Sequence, residues 1–99
     1  MRRIIFVRRV SGESMMPNLK PGRIVIATGY MKHKKGSIVI LDRGEIEIIK
    51  RVERIQDGSF YVLGDNPDSS DDSRTFGWVE KKQILGRIIW PVVKKPNYY

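Results

Sequence analysis

Short stretches of β-branched and aromatic residues, interrupted at close intervals by glycine-containing pairs, constrain this chain more than any other feature. Such stretches favour strands, because branched and aromatic side chains pack well on a pleated surface. The glycines supply the backbone conformations that tight turns need. The predicted strands are residues 4–10, 24–28, 37–42, 45–55, 60–63 and 87–93. We therefore expect a mostly β fold, a compact and strongly bent antiparallel β domain.

Four dipeptides mark the expected turns: Pro21-Gly22, Lys35-Gly36, Arg43-Gly44 and Asp57-Gly58. Asp57-Gly58 is the strongest hairpin signal, because a two-residue hairpin turn needs positive φ at both positions. Residues 80–85 predict a short helical turn before the last strand. Residues 11–19 and 64–76 fit neither strands nor hairpin turns. Long irregular connections in a small domain often carry function, so the chemistry should be sought in these two segments.

Length and residue usage exclude several classes of protein. A chain of 99 residues suits one domain, which we place at 1–99. Without cysteine and with a single histidine, His33, it offers no disulfide framework and little to bind zinc, so we expect no metal and no cofactor. Its apolar stretches are far shorter than the roughly 20 residues of a membrane helix. The basic start lacks a secretion signal's apolar centre, so we expect a cytoplasmic protein.

The net charge of +8 favours an anionic partner but does not identify its chemical class. Nucleic acid, an anionic membrane face and an acidic protein all fit this charge. The densest basic run, residues 32–35, has no interleaved aromatic residues and no recognition-helix pattern. We therefore expect no nucleic-acid partner. His33 lies within this run, and we expect it at a solvated loop tip.

Lys50 occupies an unusual position in the predicted strand 45–55. Side chains alternate across a strand, which puts Lys50 on one face with Ile46, Ile48 and Val52. A lysine on an apolar face extends to water, pairs with a carboxylate or loses its proton, because burial disfavours the charged form. In the last case it becomes a general base for a serine nucleophile. The usual alternative base is histidine, and His33, in the basic run 32–35, is the only histidine in the sequence.

Ser14 is the candidate serine, in the bend 11–19 after Gly12. Such a bend can present a hydroxyl and converge backbone N–H groups as an oxyanion hole. An ordinary turn with a methionine filling a gap is the alternative. Met15 and Met16, which follow the serine, are candidates for contact with a membrane or a hydrophobic substrate, and a buried pair fits them equally well.

The segment 64–74 concentrates carboxylates, small polar residues and Arg74. Calcium binding is one interpretation. The run lacks the ligand spacing and the terminal glutamate of an EF-hand loop, which argues against it. A bidentate pair between a carboxylate and Arg74 that fixes the shape of the loop is the other interpretation.

Together these segments resemble the signal peptidase I family of serine-lysine proteases. The motifs are G-x-S-M-x-P at 12–17, K-R-V at 50–52 and G-D-N-x-x-x-S-x-D-S-R at 64–74, in the family's order. The resemblance covers nearly the whole chain and implies the catalytic-core fold that signal peptidases and self-cleaving repressors share. The last motif, continuing through Phe76 and Gly77, is most similar to the small proteases that mature nickel-type superoxide dismutase by removing its leader.

The resemblance also implies roles for individual residues. Ser14 corresponds to the nucleophile and Lys50 to its general base. Ser70 corresponds to the serine that orients the lysine, and Asp72 and Arg74 to the supporting ion pair. Gly12 and Met15 flank the nucleophile in the oxyanion turn, whose donors would be backbone N–H groups. Some members carry a serine donor where this chain has Gly12.

The predicted function is therefore serine endopeptidase activity that removes an N-terminal leader or signal segment from a protein bound as an extended strand. Only residues 51–63 separate the lysine motif from the G-D-N motif, and we expect a bare catalytic core without a membrane anchor. Two alternatives remain. One is a self-cleaving repressor-type autoprotease. The other is a non-catalytic basic β module that binds an acidic partner.

Overall fold

One antiparallel sheet of seven strands dominates the computed structural model, which describes residues 5–30 and 32–94. The strands are β1 (Ile5–Arg9), β2 (Ile24–Thr28), β3 (Ile38–Asp42), β4 (Glu47–Gln56), β5 (Ser59–Leu63), β6 (Val79–Glu80) and β7 (Ile84–Trp90). The helical segments in these residues are short: 3-10 turns at Pro67–Ser69 and Lys81–Gln83, and the single α-helical turn α1 (Ser73–Phe76). None of them is long and apolar enough to cross a membrane. The predicted mostly β, antiparallel fold is confirmed.

The order of the strands leaves two kinds of free edge. The sheet runs β1-β2-β7-β3-β4-β5-β6, so β1 and β6 are its terminal strands. Within β4, only residues 51–56 pair with β5, and the first half of the strand, residues 47–50, has β3 alone as a neighbour in the described sheet. The pairing register shifts at Ile26/Ala27, Ile40/Leu41 and Val52/Arg54.

Each of the six predicted strands has a counterpart in the sheet, β6 was not predicted, and the predicted helical turn is too long. Asp57 and Gly58 join β4 to β5 with φ of 53° and 79°, the two positive values that the hairpin prediction required. The helical turn predicted at 80–85 is confined to Lys81–Gln83, because Ile84 already pairs with Leu41 in the sheet. Ile4, part of the first predicted strand, lies outside the described residues.

Both faces of the sheet are buried. Strand β3 shows this directly, because Ile38 and Ile40 belong to one hydrophobic cluster and Val39 and Leu41 to the other. The first cluster also contains Phe6, Val10, Met15, Leu19, Val25, Ala27 and Ile88. The second is completed by Val52, Phe60, Val62, Val79 and Ile84. Since Met15 and Leu19 lie in the first cluster, the core itself holds the bend that carries Ser14.

Candidate active site

The bend at 11–19 presents Ser14 between two anchoring points. Gly12 has φ of +81°, a left-handed conformation that glycine adopts without strain. Met15 and Leu19 are fully buried in the first cluster, and the Leu19 backbone N–H donates to the Met15 carbonyl at 2.9 Å. Ser14 itself is half-buried. Packing of Met15 and Leu19 therefore fixes the turn on one side of the serine, and Gly12 permits its backbone conformation on the other.

The segment 64–74 holds the serine bend from the opposite side. The backbone N–H of Asn66 donates to the Ser14 carbonyl at 2.8 Å, and its side-chain amide donates to the Glu13 carbonyl at 3.1 Å. Gly64 makes this approach possible, because a Cβ there would lie 2.7 Å from the Ser14 carbonyl oxygen and would also clash with the Ser70 side chain. The first and third motifs of the chain thus meet in space.

Lys50 is buried in the middle of β4, with only 3% of its surface exposed. It alternates with Ile48 and Val52, which pack in or against the second cluster, as the sequence predicts. Burial, which disfavours the ammonium, lowers the pKa of Lys50 below the ordinary value of 10.5. The nearby carboxylates of Asp72 and Asp71 oppose this lowering, and Arg74 adds to it. A lysine with a lowered pKa yields the neutral amine more readily.

Ile46, predicted on the same face as Lys50, does not share its burial. Its side chain is 63% exposed, because it precedes β4 and lies in the turn from Asp42.

Asp72 is fully buried, and four groups bind its carboxylate. Arg74 donates from Nε at 3.0 Å and from Nη2 at 2.8 Å, and its backbone N–H donates at 3.2 Å. The Ser70 hydroxyl and the Gly64 backbone N–H also donate to it. Burial raises the pKa of Asp72, but these hydrogen bonds outweigh it and hold that pKa well below the usual range. The predicted pairing of Asp72 with Arg74 is present.

Ser70 thus donates its only proton to Asp72. A hydroxyl oxygen that donates still has lone pairs to accept with, so Ser70 can also receive a hydrogen bond from an amine. That geometry is compatible with the role of orienting Lys50, which stays a prediction.

A single cleft of about 880 Å³ brings the candidate dyad together. Both Ser14 and Lys50 line it, along with Gly12, Ser69 and Asp71. One wall comes from the end of β1 and the serine bend, and the other from residues 43–50. His33 does not line this cleft. It is half-buried, packed edge-on against Phe60 with ring centroids 5.7 Å apart, so the predicted solvated tip is wrong.

A further ion pair, between Arg51 and Asp65, is buried on both sides and was not predicted from the sequence. Arg51 donates from Nε and Nη2 to the two carboxylate oxygens at 2.9 and 2.8 Å, and both side chains are about 5% exposed. Asn18 completes the cluster by donating to Asp65 at 2.8 Å. The pair therefore joins the second and third motifs, and Asn18 links it to the end of the serine bend. A signal for it was available, since the strand prediction put Arg51 on a face shared with apolar Ile49.

Two other predictions are narrowed by this geometry. Met15 is 1% exposed, so of the methionine pair only the half-buried Met16 could contact a membrane or substrate, and that contact stays a prediction. Asp65 binds Arg51 and Asp72 binds Arg74, which supports a structural role rather than calcium binding for these two carboxylates of the segment 64–74.

Comparison with known proteins agrees with this architecture. The family model described as "Peptidase S24-like" matches residues 2–89. The chain is 42% identical over 43 residues to signal peptidase I of Haemophilus influenzae, covering 41% of this chain and 12% of that protein. It is 45% identical over 40 residues to signal peptidase IB of Staphylococcus aureus, covering 37% and 21%. The similarity thus covers about a fifth or less of the length of these relatives.

Proposed function

Because the chain belongs to the Peptidase S24-like family, we propose that it is a serine endopeptidase in which Ser14 is the nucleophile and Lys50 the general base. The observation that carries this proposal is the burial of Lys50 in the wall of the cleft that Ser14 also lines. Among the described residues no salt bridge to Lys50 is present, a buried lysine of this kind is costly, and service as the base for a serine is a reason to keep it.

The proposed reaction is acyl transfer. Neutral Lys50 takes the proton of the Ser14 hydroxyl, and the oxygen attacks the carbonyl carbon of the scissile bond. Backbone N–H groups of the serine bend stabilise the oxyanion. Lys50 then gives the proton to the leaving amine, and water hydrolyses the acyl-enzyme with Lys50 as base again. Each step needs only these two side chains and the bend.

Ser70, Asp72 and Arg74 support the base in this proposal. The Ser70 oxygen accepts a hydrogen bond from Lys50 while its proton is held by Asp72. Arg74 neutralises the Asp72 carboxylate, which weakens the attraction that would otherwise keep Lys50 protonated. The loop thus fixes the direction of the Lys50 amine without a strong attraction that would raise its pKa.

The substrate would bind as an extended strand between two free sheet edges. The cleft lies between the terminal strand β1 and the unpaired edge of residues 47–50. Main-chain pairing with either edge fixes the register of a peptide and presents alternate side chains to the walls.

Removal of a leader or signal segment is the activity that best fits similarity to proteins named signal peptidase. Within that class we propose the narrower substrate that the motif through Phe76 and Gly77 suggests, the leader of a nickel-type superoxide dismutase. Incubation with that precursor, followed by mass spectrometry of the new N-terminus, tests this substrate separately from the chemistry.

The dyad is tested with an active-site serine reagent. We expect stoichiometric labelling at Ser14 that becomes faster as the pH rises and Lys50 loses its proton. Ser14→Ala and Lys50→Ala should both abolish labelling without loss of the fold. Ser11→Ala is the matched control, because Ser11 lines the same cleft and should be dispensable. Labelling at Ser11, or undiminished labelling in Lys50→Ala, would contradict the dyad.

The same preparation separates the two alternatives. An autoprotease cuts its own chain at a rate independent of its concentration, which mass spectrometry of the isolated protein detects. A non-catalytic module takes up no reagent at Ser14 at any pH.

A further inference from the structure

An ion pair between Arg8 and Glu47 crosses the cleft from one wall to the other. Arg8 donates from Nε to Oε1 at 2.6 Å and from Nη2 to Oε2 at 3.1 Å, a bidentate contact between residues 39 positions apart. Arg8 belongs to β1 and Glu47 begins β4. Since β2, β7 and β3 lie between these strands in the sheet, the pair spans the open gap between its two free edges.

Arg8 is oriented before any substrate arrives. Its guanidinium lies 4.9 Å from the centre of the Phe6 ring, and its Nη1 donates to the Val7 carbonyl at 3.0 Å. The Arg8 and Glu47 side chains nevertheless remain 36% and 38% exposed, so a peptide in the cleft can touch both. An exposed ion pair stabilises a fold only slightly, and a competing charge can therefore replace either member.

The pair lies a defined distance from the proposed dyad. Glu47 precedes Lys50 by three residues on β4, which corresponds to about 10 Å of extended chain. Beyond it is a second cavity of about 900 Å³, lined by Phe6, Ile84 and Leu85 as well as by both members of the pair. Arg8 and Glu47 thus stand between the cleft of the dyad and this second cavity.

We propose that the Arg8–Glu47 pair is a specificity-determining element, which selects the charge that a substrate carries about three residues from the scissile bond. This inference rests on the proposed peptidase function. With both members present, their charges cancel and an uncharged side chain is favoured at that position. With one member removed, the other charge loses its partner and selects a substrate side chain of opposite sign.

The test uses alanine-based decapeptides with a single Ala, Glu or Lys placed two, three or four residues from the central bond on either side. Cleavage is measured as kcat/KM for the wild type, Glu47→Gln and Arg8→Gln. Binding of the same fluorescein-labelled peptides is measured by anisotropy in the Ser14→Ala background. Glu80→Gln is the control for loss of an exposed ion pair, the one with Lys82, because Glu80 itself is not among the residues that line the cleft or the second cavity.

We expect Glu47→Gln to shift the Glu-to-Lys preference toward Glu by about two- to five-fold, and Arg8→Gln to shift it toward Lys by a similar factor. Both shifts should appear on one side of the scissile bond only and should fade at high salt. The double variant Arg8→Gln/Glu47→Gln should return to the wild-type preference, which distinguishes lost charge selection from a damaged fold.

The outcomes separate this inference from the function on which it rests. If the wild type cleaves the peptides and all variants show the same Glu-to-Lys preference, the inference is overturned and the peptidase proposal stays intact. Absence of cleavage together with the expected shifts in binding overturns the peptidase proposal and supports charge selection by the pair. Absence of both cleavage and binding overturns both.

Discussion

The burial of Lys50 lowers the stability of the fold, and the same residue is the proposed general base for Ser14. In the range between its lowered pKa in the fold and the ordinary 10.5, the unfolded chain holds a proton that the folded chain has lost. The free energy of unfolding therefore rises with pH across that range. At pH values below the lowered pKa, Lys50 is charged in the folded chain and the full cost of burying its ammonium lowers the stability. A methionine at this position keeps the apolar stem and removes the charge.

Lys50→Met should accordingly raise the free energy of unfolding near neutral pH, on the order of 1 kcal/mol, while abolishing labelling of Ser14. The gain should shrink as the pH approaches 10.5. Urea titrations at several pH values measure it. Lys35→Met, at an exposed turn, is the control and should change stability by less than about 0.5 kcal/mol. A loss of stability in Lys50→Met would contradict the sign of this argument.

Gly64 is the second residue at which a small change should have a specific effect. A methyl group there would meet the Ser14 carbonyl and the Ser70 side chain, and both neighbours belong to the proposed site. Gly64→Ala should lower kcat/KM and reduce stability by about 1–3 kcal/mol, since overpacking forces backbone shifts. Gly58→Ala is the control, because its methyl meets open space and its cost of about 1 kcal/mol comes from the backbone alone. Equal activities in the two variants would argue against a site that depends on this contact.

The limits of prediction at the residue scale follow from distance along the chain. Alternation along one strand was sufficient to place Lys50 on an apolar face, because that pattern is local. The contact of Gly64 with Ser14 joins residues 50 positions apart, and no local pattern specifies such an approach. The motif resemblance pointed to Ser70, Asp72 and Arg74 as a group, and the structure supplies the bonds among them.

At the scale of elements, the Arg51–Asp65 pair joins β4 to the start of the segment 64–74. Its two side chains are buried, and Arg51 Nη1 also donates to the Gly36 and Val93 carbonyls. Asp65→Ala leaves this arginine buried without its carboxylate, and we expect a loss of about 3–5 kcal/mol in the free energy of unfolding. Chemical denaturation measures the loss. Glu80→Gln, which breaks an exposed pair, should cost less than about 1 kcal/mol, and an equal loss in both variants would be inconsistent with burial as the cause.

The elements themselves were predicted where their signals are local. Strand β2 and the Asp57-Gly58 hairpin correspond to the prediction, because a β-branched run and a two-residue turn each specify their own backbone. The sequence predicts a helical turn that includes Ile84 and Leu85, because a window of six residues is too short for its hydrophobic periodicity to distinguish a helix from a strand. Pairing of β7 with β3, more than 40 residues away, decides their conformation. Arg51 was missed for a related reason, since its partner comes from another motif.

At the scale of the whole molecule, the two free sheet edges that border the cleft give the last prediction. A peptide bound as a strand should pair with β1, with residues 47–50, or with both, and each new hydrogen bond protects a backbone amide from exchange with solvent. The other terminal strand, β6, lies at the opposite end of the sheet and serves as an internal control. Hydrogen exchange on the Ser14→Ala protein, with and without a peptide that the wild type cleaves, therefore reports where the substrate lies.

We expect slower exchange at alternate amides of residues 5–9 and 47–50 and no change at Val79 and Glu80. Alternate amides are expected because successive N–H groups of an edge strand point toward and away from the new neighbour. Protection confined to β6 would place the substrate at the wrong edge of the sheet and would contradict the cleft assignment. Protection spread evenly over all strands would indicate a general rise in stability on binding, in which case the pairing model would be abandoned.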